Sequence, residues 1–177
     1  MLTEWSLHYP RWLIGDGYLN RSVGATFEWF NVEFWADEPL KSGGVRSKTA
    51  IPIADFRYKI IGEVEFLSDE GCLVDFGLRA MGVRSTLASD CKKGDYVTGE
   101  VGIGLGLDIQ FLPEDVFSTL KCKWHINRIT ADLTPLSSDP DNAGCFIRDE
   151  SRIQYVDVKS TLEVKVRDYI LHCAEVR

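Results

Sequence analysis

The chain has 177 residues, a formal net charge of −7 and a pI near 5.0. That length suits a domain that buries a core without disulfide or metal staples. The acidity argues against functions that gather phosphates non-specifically, because such binding comes from Lys and Arg releasing counterions.

Taken in order, Trp5, Leu7, Tyr9, Trp12 and Ile14 form an apolar series broken by Pro10. Proline cannot donate to a sheet ladder, so the expectation is an edge strand or an extended arm. Gly15-Asp16-Gly17 then reads as a turn. In Gly24–Trp35, Ala25, Phe27, Trp29 and Asn31 share one face, and Glu28, Phe30, Val32 and Phe34 the other. Both faces are substantially apolar, which predicts a central strand covered on both sides; an exposed aromatic binding face is the alternative. Asp37–Ala50 reads as a long loop, with Lys41, Arg46 and Lys48 as solvated charges.

The central stretch is the most strongly patterned. Tyr58, Ile60, Gly62, Val64 and Phe66 alternate with Arg57, Lys59, Glu63 and Glu65, Ile61 being the one apolar exception. That is the period of a half-buried strand. Asp69-Glu70-Gly71 supplies a turn, and Cys72, Val74 and Phe76 resume the alternation. Gly77–Asp90 is open between a short helix and an irregular connection. After a Gly94-Asp95 turn, Val101, Ile103, Leu105, Leu107 and Ile109 alternate with Gly102, Gly104, Gly106 and Asp108. Glycine at successive outward positions predicts sharp coiling or close backbone approach.

Pro113–Phe117 has the proline and early acids of a short helix. In Lys121–Leu133, Cys122, Trp124 and Ile126 have one parity and Ile129, Ala131 and Leu133 the other, which predicts a bulge near Asn127-Arg128. Thr134–Glu150 reads as a second polar loop. Ile153–Val158 and Val164–Cys173 read as final strands joined by a turn at Lys159-Ser160-Thr161. The fold class expected is mainly β: one domain over residues 1–177, a small barrel or sandwich centred on about 52–133, with flanking strands and one or two short helices.

The run from Tyr58 to Val101, with GEVEF, CLVDFG and KKGDYV, resembles the oligonucleotide/oligosaccharide-binding (OB) fold barrel over about a quarter of the chain. The resemblance lies in glycines and hydrophobics rather than in a specific motif, and it implies architecture. In members that bind nucleic acid, exposed aromatics stack bases and basic residues track the backbone. Here Lys92, Lys93, Arg79 and Arg84 offer local positive charge.

Motifs for chemistry are sparse. Cys122 and His125 lie two residues apart in spacing and His172 adjoins Cys173, but neither makes the paired short-spaced ligand set of a zinc site, so no metal or cofactor is expected. No G-x-S-x-G elbow is present, and His8, His125 and His172 have no partner by motif. Asp139, Asp141 and Asn142 match a calcium loop in composition only. The five cysteines are odd in number and widely spaced, and MLTEWSLHYPRW lacks a charged segment leading into an apolar run; both point to a reducing cytoplasm. No apolar run approaches the ~18 residues of a membrane span.

Three functions follow as expectations. The first is a non-catalytic protein-binding module, in its sharpest form an immunity-type inhibitor of a basic partner such as a nuclease toxin, docking through Asp139, Asp141, Asp149 and Glu150. The second is a single-stranded nucleic-acid binder using Lys92 and Lys93. The third is a small-ligand-binding barrel or an enzyme with a pocket at the barrel mouth.

Overall fold

The structure, a computed structural model, describes residues 4–15, 20–29, 31–43, 45–106, 112–142 and 144–176. Asp16-Gly17 of the expected first turn, Phe30, Gly44 and the Leu107–Ile109 end of the glycine-alternating run lie outside these residues. In chain order the strands are β1 (Trp5–Pro10), β2 (Thr26–Trp29), β3 (Val32–Trp35), β4 (Lys41–Ser42), β5 (Thr49–Ala54), β6 (Arg57–Leu67), β7 (Gly71–Asp75), β8 (Arg79–Val83), β9 (Tyr96–Leu105), β10 (Cys122–Asp132), β11 (Leu136–Ser138), β12 (Phe146–Arg148), β13 (Tyr155–Val158) and β14 (Asp168–Val176). Two four-residue helices, α1 (Trp12–Gly15) and α2 (Glu114–Phe117), complete the regular elements, with 3-10 turns at Arg84–Thr86 and Glu150–Arg152.

The fold is mainly β, as expected, and its centre is a closed five-stranded barrel. Strands β6, β7 and β8 form an antiparallel meander. β8 pairs in parallel with β3, and β3 pairs antiparallel with β9. β9 then returns to β6 over Arg57–Glu63, closing the ring. The alternation of β6 places Tyr58, Ile60 and Val64 inside. Closure leaves these five strands without a free edge.

A second layer grows from the far half of β9. One parallel bridge, His8 to Gly104, joins β1 to it, and β14 and β10 follow in order. The other edge of β10 carries β13 along Ile129–Asp132 and β2 along Cys122–His125. The predicted bulge in β10 is present: its register against β14 shifts between Ile126 and Arg128, which turns Trp124, Ile126, Ile129 and Ala131 all into the core.

Several expectations need correction. β1 is an interior strand between β14 and β9, not an edge; Pro10 is its last residue, so the missing N–H falls where the ladder ends. Gly24–Trp35 is two strands on different partners, β2 on β10 and β3 on β9, although its described aromatics Phe27, Trp29 and Phe34 are core as expected. Gly77–Asp90 contains strand β8. Its residues Ala80, Met81 and Gly82 are all buried because Met81 and Leu73, on the outer face, are capped by Leu120 with α2 residues Val116 and Phe117. The Asp37–Ala50 loop holds β4 and the start of β5, and Lys48 in it, though exposed, is also paired: Glu63, Glu65 and Asp75 surround its ammonium at 3.0, 3.5 and 2.8 Å. The Thr134–Glu150 loop contains the β11–β12 hairpin, and the last strand begins at Asp168 rather than Val164.

Close packing makes some glycines obligatory. A Cβ on Gly62 would lie 2.7 Å from the Val74 side chain and 3.0 Å from the Asp75 carbonyl oxygen, and the latter is backbone that cannot rotate away. Gly62→Ala is therefore expected to destabilise the barrel by roughly 1–3 kcal/mol, the usual cost of overpacking. Urea denaturation of the variant beside the parent checks this, and an unchanged midpoint would show that the β6–β7 pair is looser than described.

Candidate functional site

The β11–β12 hairpin stands apart from the large sheet and pairs only with itself, Leu136 to Arg148 and Ser138 to Phe146. It leaves Leu136, Phe146 and Ile147 exposed, and Ile153 and Val156 continue that apolar surface along the chain. Phe146 is 63% exposed, unusual for so large a side chain. The same segment is acidic: residues 132–157 hold six carboxylates and two arginines, a net −4 of the chain's −7.

The expected docking residues all lie on this hairpin, at its two ends. At the tip Asp139 accepts the Asp141 N–H and the Asn142 amide, each at 2.9 Å; the Asn142 bond, the larger effect, and the Asp141 N–H hold its carboxyl below the usual range. At the base Asp149 caps the 3-10 turn, accepting the Ser151 N–H at 3.1 Å and pairing with Arg152 at 2.6 Å. Its carboxyl too is held low, first by the Ser151 hydroxyl and then by Arg152. Glu150 pairs with Arg148 at 3.5 Å. Three-residue strands separate the two acidic ends by roughly 10 Å at 3.4 Å per residue. The carboxylates bracket the apolar residues rather than forming one cluster.

Arg148 fastens the hairpin to the rest of the fold. Its guanidinium pairs with Asp132 at 3.1 Å and with Asp55 at 3.8 Å, and lies 5.3 Å from the centre of the Tyr155 ring, donating to the Tyr155 hydroxyl. That hydroxyl donates in turn to Asp55. Asp55 is in the β5–β6 turn with φ of +34°, the one described non-glycine residue at positive φ. Aspartate is among the few residues that tolerate this region. Burial first, then Asp55, push the Tyr155 pKa upward, so the phenol stays protonated and keeps donating.

Behind Tyr155 opens a cavity of about 340 Å³, lined by Asp55, Arg128, Thr130, Tyr155, Asp157 and His172, with Ile170 at its floor. Its hydrogen bonds fix the state of His172. Arg128 can only donate, and it approaches Nδ1 at 3.3 Å; Ser6 Oγ is 2.9 Å from the same nitrogen. Nδ1 is therefore the acceptor, and Nε2 carries the proton toward Thr130 Oγ1 at 3.0 Å. The Thr130 hydroxyl donates onward to Asp157 at 3.1 Å. Every position is filled by a neutral imidazole. Burial, and then the Arg128 charge, lower the His172 pKa, while Glu4, Asp157 and Asp55 act in the opposite sense.

The remaining sequence candidates lie elsewhere. Lys92 and Lys93 are exposed in the turn before β9, where the Lys92 N–H bonds the Asp95 carboxylate at 2.9 Å. Of the two cations named with them, Arg79 is bound to Glu65 at 2.7 Å and Arg84 to the carbonyls of Leu87, Ala88 and Ser89. His8 pairs with Asp168 at 3.1 Å and packs against Trp35 and Phe56. His125 meets Thr26 at 3.4 Å. Among the described residues no group of three His, Cys, Asp or Glu side chains is placed to hold a metal, and no helix is long and apolar enough to cross a membrane. No protein-family model, curated protein or solved structure significantly matches the chain.

The tautomer argument has a pH consequence. A folded-state pKa below the ordinary value near 6.5 means that the unfolded chain binds a proton the folded chain resists. The His172 contribution is complete above about pH 6.5 and is lost as pH falls from there through the folded pKa. The melting temperature should drop between pH 7.5 and pH 5.5, and His172→Gln, which cannot take up that proton, should flatten the drop. Parallel melting curves for parent and variant across that window would refute it.

Proposed function

We propose that this chain is a protein-binding module that docks a basic partner through the β11–β12 hairpin and the Ile153–Val156 segment. One observation carries the reading: exposed apolar side chains and a net charge of −4 occupy the same segment, residues 132–157. Specific interfaces combine a desolvated apolar centre with a polar rim. Complementary charge on that rim steers encounter and excludes wrong partners. Phe146, Ile147 and Leu136 supply the centre, and Asp139, Asp141, Asp149 and Glu150 the two ends of the rim. The sharpest form of the reading is an immunity-type inhibitor, because a nuclease toxin presents a basic surface adapted to phosphates.

The strand order supports a second reading. A closed five-stranded barrel built on a three-strand meander suits an OB-like fold, and such barrels serve as single-stranded nucleic-acid binders. Lys92 and Lys93 are exposed at the turn into β9 and available to it.

Affinity capture from the native host, with and without nuclease treatment, separates the two. The docking reading expects one stoichiometric basic protein that survives nuclease treatment. Phe146→Ser with Ile147→Ser should weaken its binding at least about tenfold, as loss of an interface centre does. Asp139→Asn with Asp141→Asn should chiefly slow association and reduce its salt dependence. Capture of nucleic acid that Lys92→Ala with Lys93→Ala abolishes would favour the barrel instead.

A further inference from the structure

We propose that the cavity between the β5–β6 turn and the β10–β13–β14 surface receives a guanidinium or ammonium group, delivered by a basic side chain of the docked partner. The proposal rests on the docking reading only for the source of that cation; the cavity itself is argued from its own atoms.

At about 340 Å³ the cavity has the size of a small ligand pocket. Its floor, Ile170 and His172, is more than nine-tenths buried, so a cation stem lying there is largely removed from water. Its walls carry two carboxylates that are only half used. Asp157 Oδ1 accepts the Thr130 hydroxyl, with Arg128 further off at 3.8 Å. Asp55 Oδ2 accepts the Tyr155 hydroxyl, with Arg148 at 3.8 Å. The second oxygen of each has no hydrogen-bond partner among the described residues. A carboxylate offers about four acceptor positions, so both retain capacity for a forked donor.

The charge balance favours a cation. His172, held neutral by Ser6, Arg128 and Thr130, contributes none. Glu4, Asp55 and Asp157 face it against Arg128 alone, and Arg148, outside the lining, is shared among Asp55, Asp132 and Glu150. Arg128 is the chain's own stand-in, a guanidinium already resting against His172 Nδ1. It is 55% exposed and its pair with Asp157 is long, so an incoming group displaces it at little cost. The Tyr155 ring and hydroxyl complete a wall suited to a planar cation. Asp55 and Tyr155 of the lining hold Arg148 of the hairpin, which puts the cavity beside the docking segment.

The test is a site-resolved NMR titration of the whole protein with N-acetyl-arginine methylamide, N-acetyl-citrulline methylamide, its uncharged counterpart, and spermidine. The arginine probe should shift the His172 and Tyr155 ring signals saturably. Citrulline should bind at least about tenfold more weakly, and Asp55→Asn with Asp157→Asn should cost the arginine probe about the same factor. Asparagine tolerates positive φ as aspartate does, and Asp157 is exposed, so the double variant keeps the fold. Shifts absent, equal for citrulline, or unaffected by the double variant overturn the site. Spermidine saturating the same signals more tightly than arginine overturns the partner as the source and assigns the cavity to free polyamines. Phe146→Ser should leave this titration unchanged while weakening partner capture, so a silent cavity with intact capture sinks this proposal and not the docking reading.

Discussion

The bare outer face of β9 is the constraint on which the architecture depends. Within the barrel its first half is hydrogen-bonded to β6 and its second half to β3, and one bridge joins that second half to β1 of the other layer. Two layers can share one strand only if neighbouring side chains lie across it. A Cβ on Gly102 would come within 2.4 Å of the Trp35 ring, on Gly104 within 2.9 Å of the His8 carbonyl oxygen, and on Gly106 within 1.8 Å of Glu33. The absence of those carbons brings β1 and its partner β14 against the barrel. It also lets the β5–β6 turn overhang the second layer, with Phe56 against His8 and Trp35 and with Asp55 against Tyr155. The cavity exists because a barrel hairpin and a flat sheet meet there.

Much of this was legible from residue patterns wherever one face of a strand is buried and the other wet. The alternation in β6, the parity change in β10 and the glycine series of β9 each report a local geometric fact that survives in the fold. Legibility fails where both faces are covered. β8 has no alternation because α2 and Leu120 bury the side that a simple barrel would leave in water, and that cover comes from residues 35 or more positions away. β1 fails for another reason: proline marks the end of a ladder as readily as an edge, and only pairing partners tell which. The division of Gly24–Trp35 is equally non-local, since β2 and β3 are separated by the strands they join and not by any break in apolar character.

The candidate site was legible by half. Charge is additive and needs no fold, so the acids at Asp139, Asp141, Asp149 and Glu150 stand out in the chain. The apolar centre between them does not, because strands of three residues are too short to show a period. The cavity was out of reach. Ser6, Asp55, Arg128, Asp157 and His172 come from five separate elements, with Ser6 and His172 joined across 166 positions. The one available signal was a histidine inside an apolar terminal strand, a pattern that alone says only that the imidazole has found partners.

The distribution of charge gives the docking reading its direction. Residues 37–105, the bulk of the barrel, hold eleven carboxylates against nine cations, a net −2 over a far longer stretch than the hairpin segment. Many of those cations are committed: Lys48 to Glu63, Glu65 and Asp75, Arg79 to Glu65, Arg57 to Asp37. The hydrogen bond to Asp75, the largest influence, and that to Glu63 push the Lys48 pKa upward despite desolvation, so that neutralisation persists across the physiological range. Partly exposed pairs of this kind contribute little to stability. They cancel field, however, while the hairpin segment keeps its net −4. On the docking reading, a basic partner meets that charge beside the bare Phe146 and Ile147. Long-range attraction and short-range apolar contact then act at one place, which neither a uniformly acidic surface nor an isolated apolar patch would achieve.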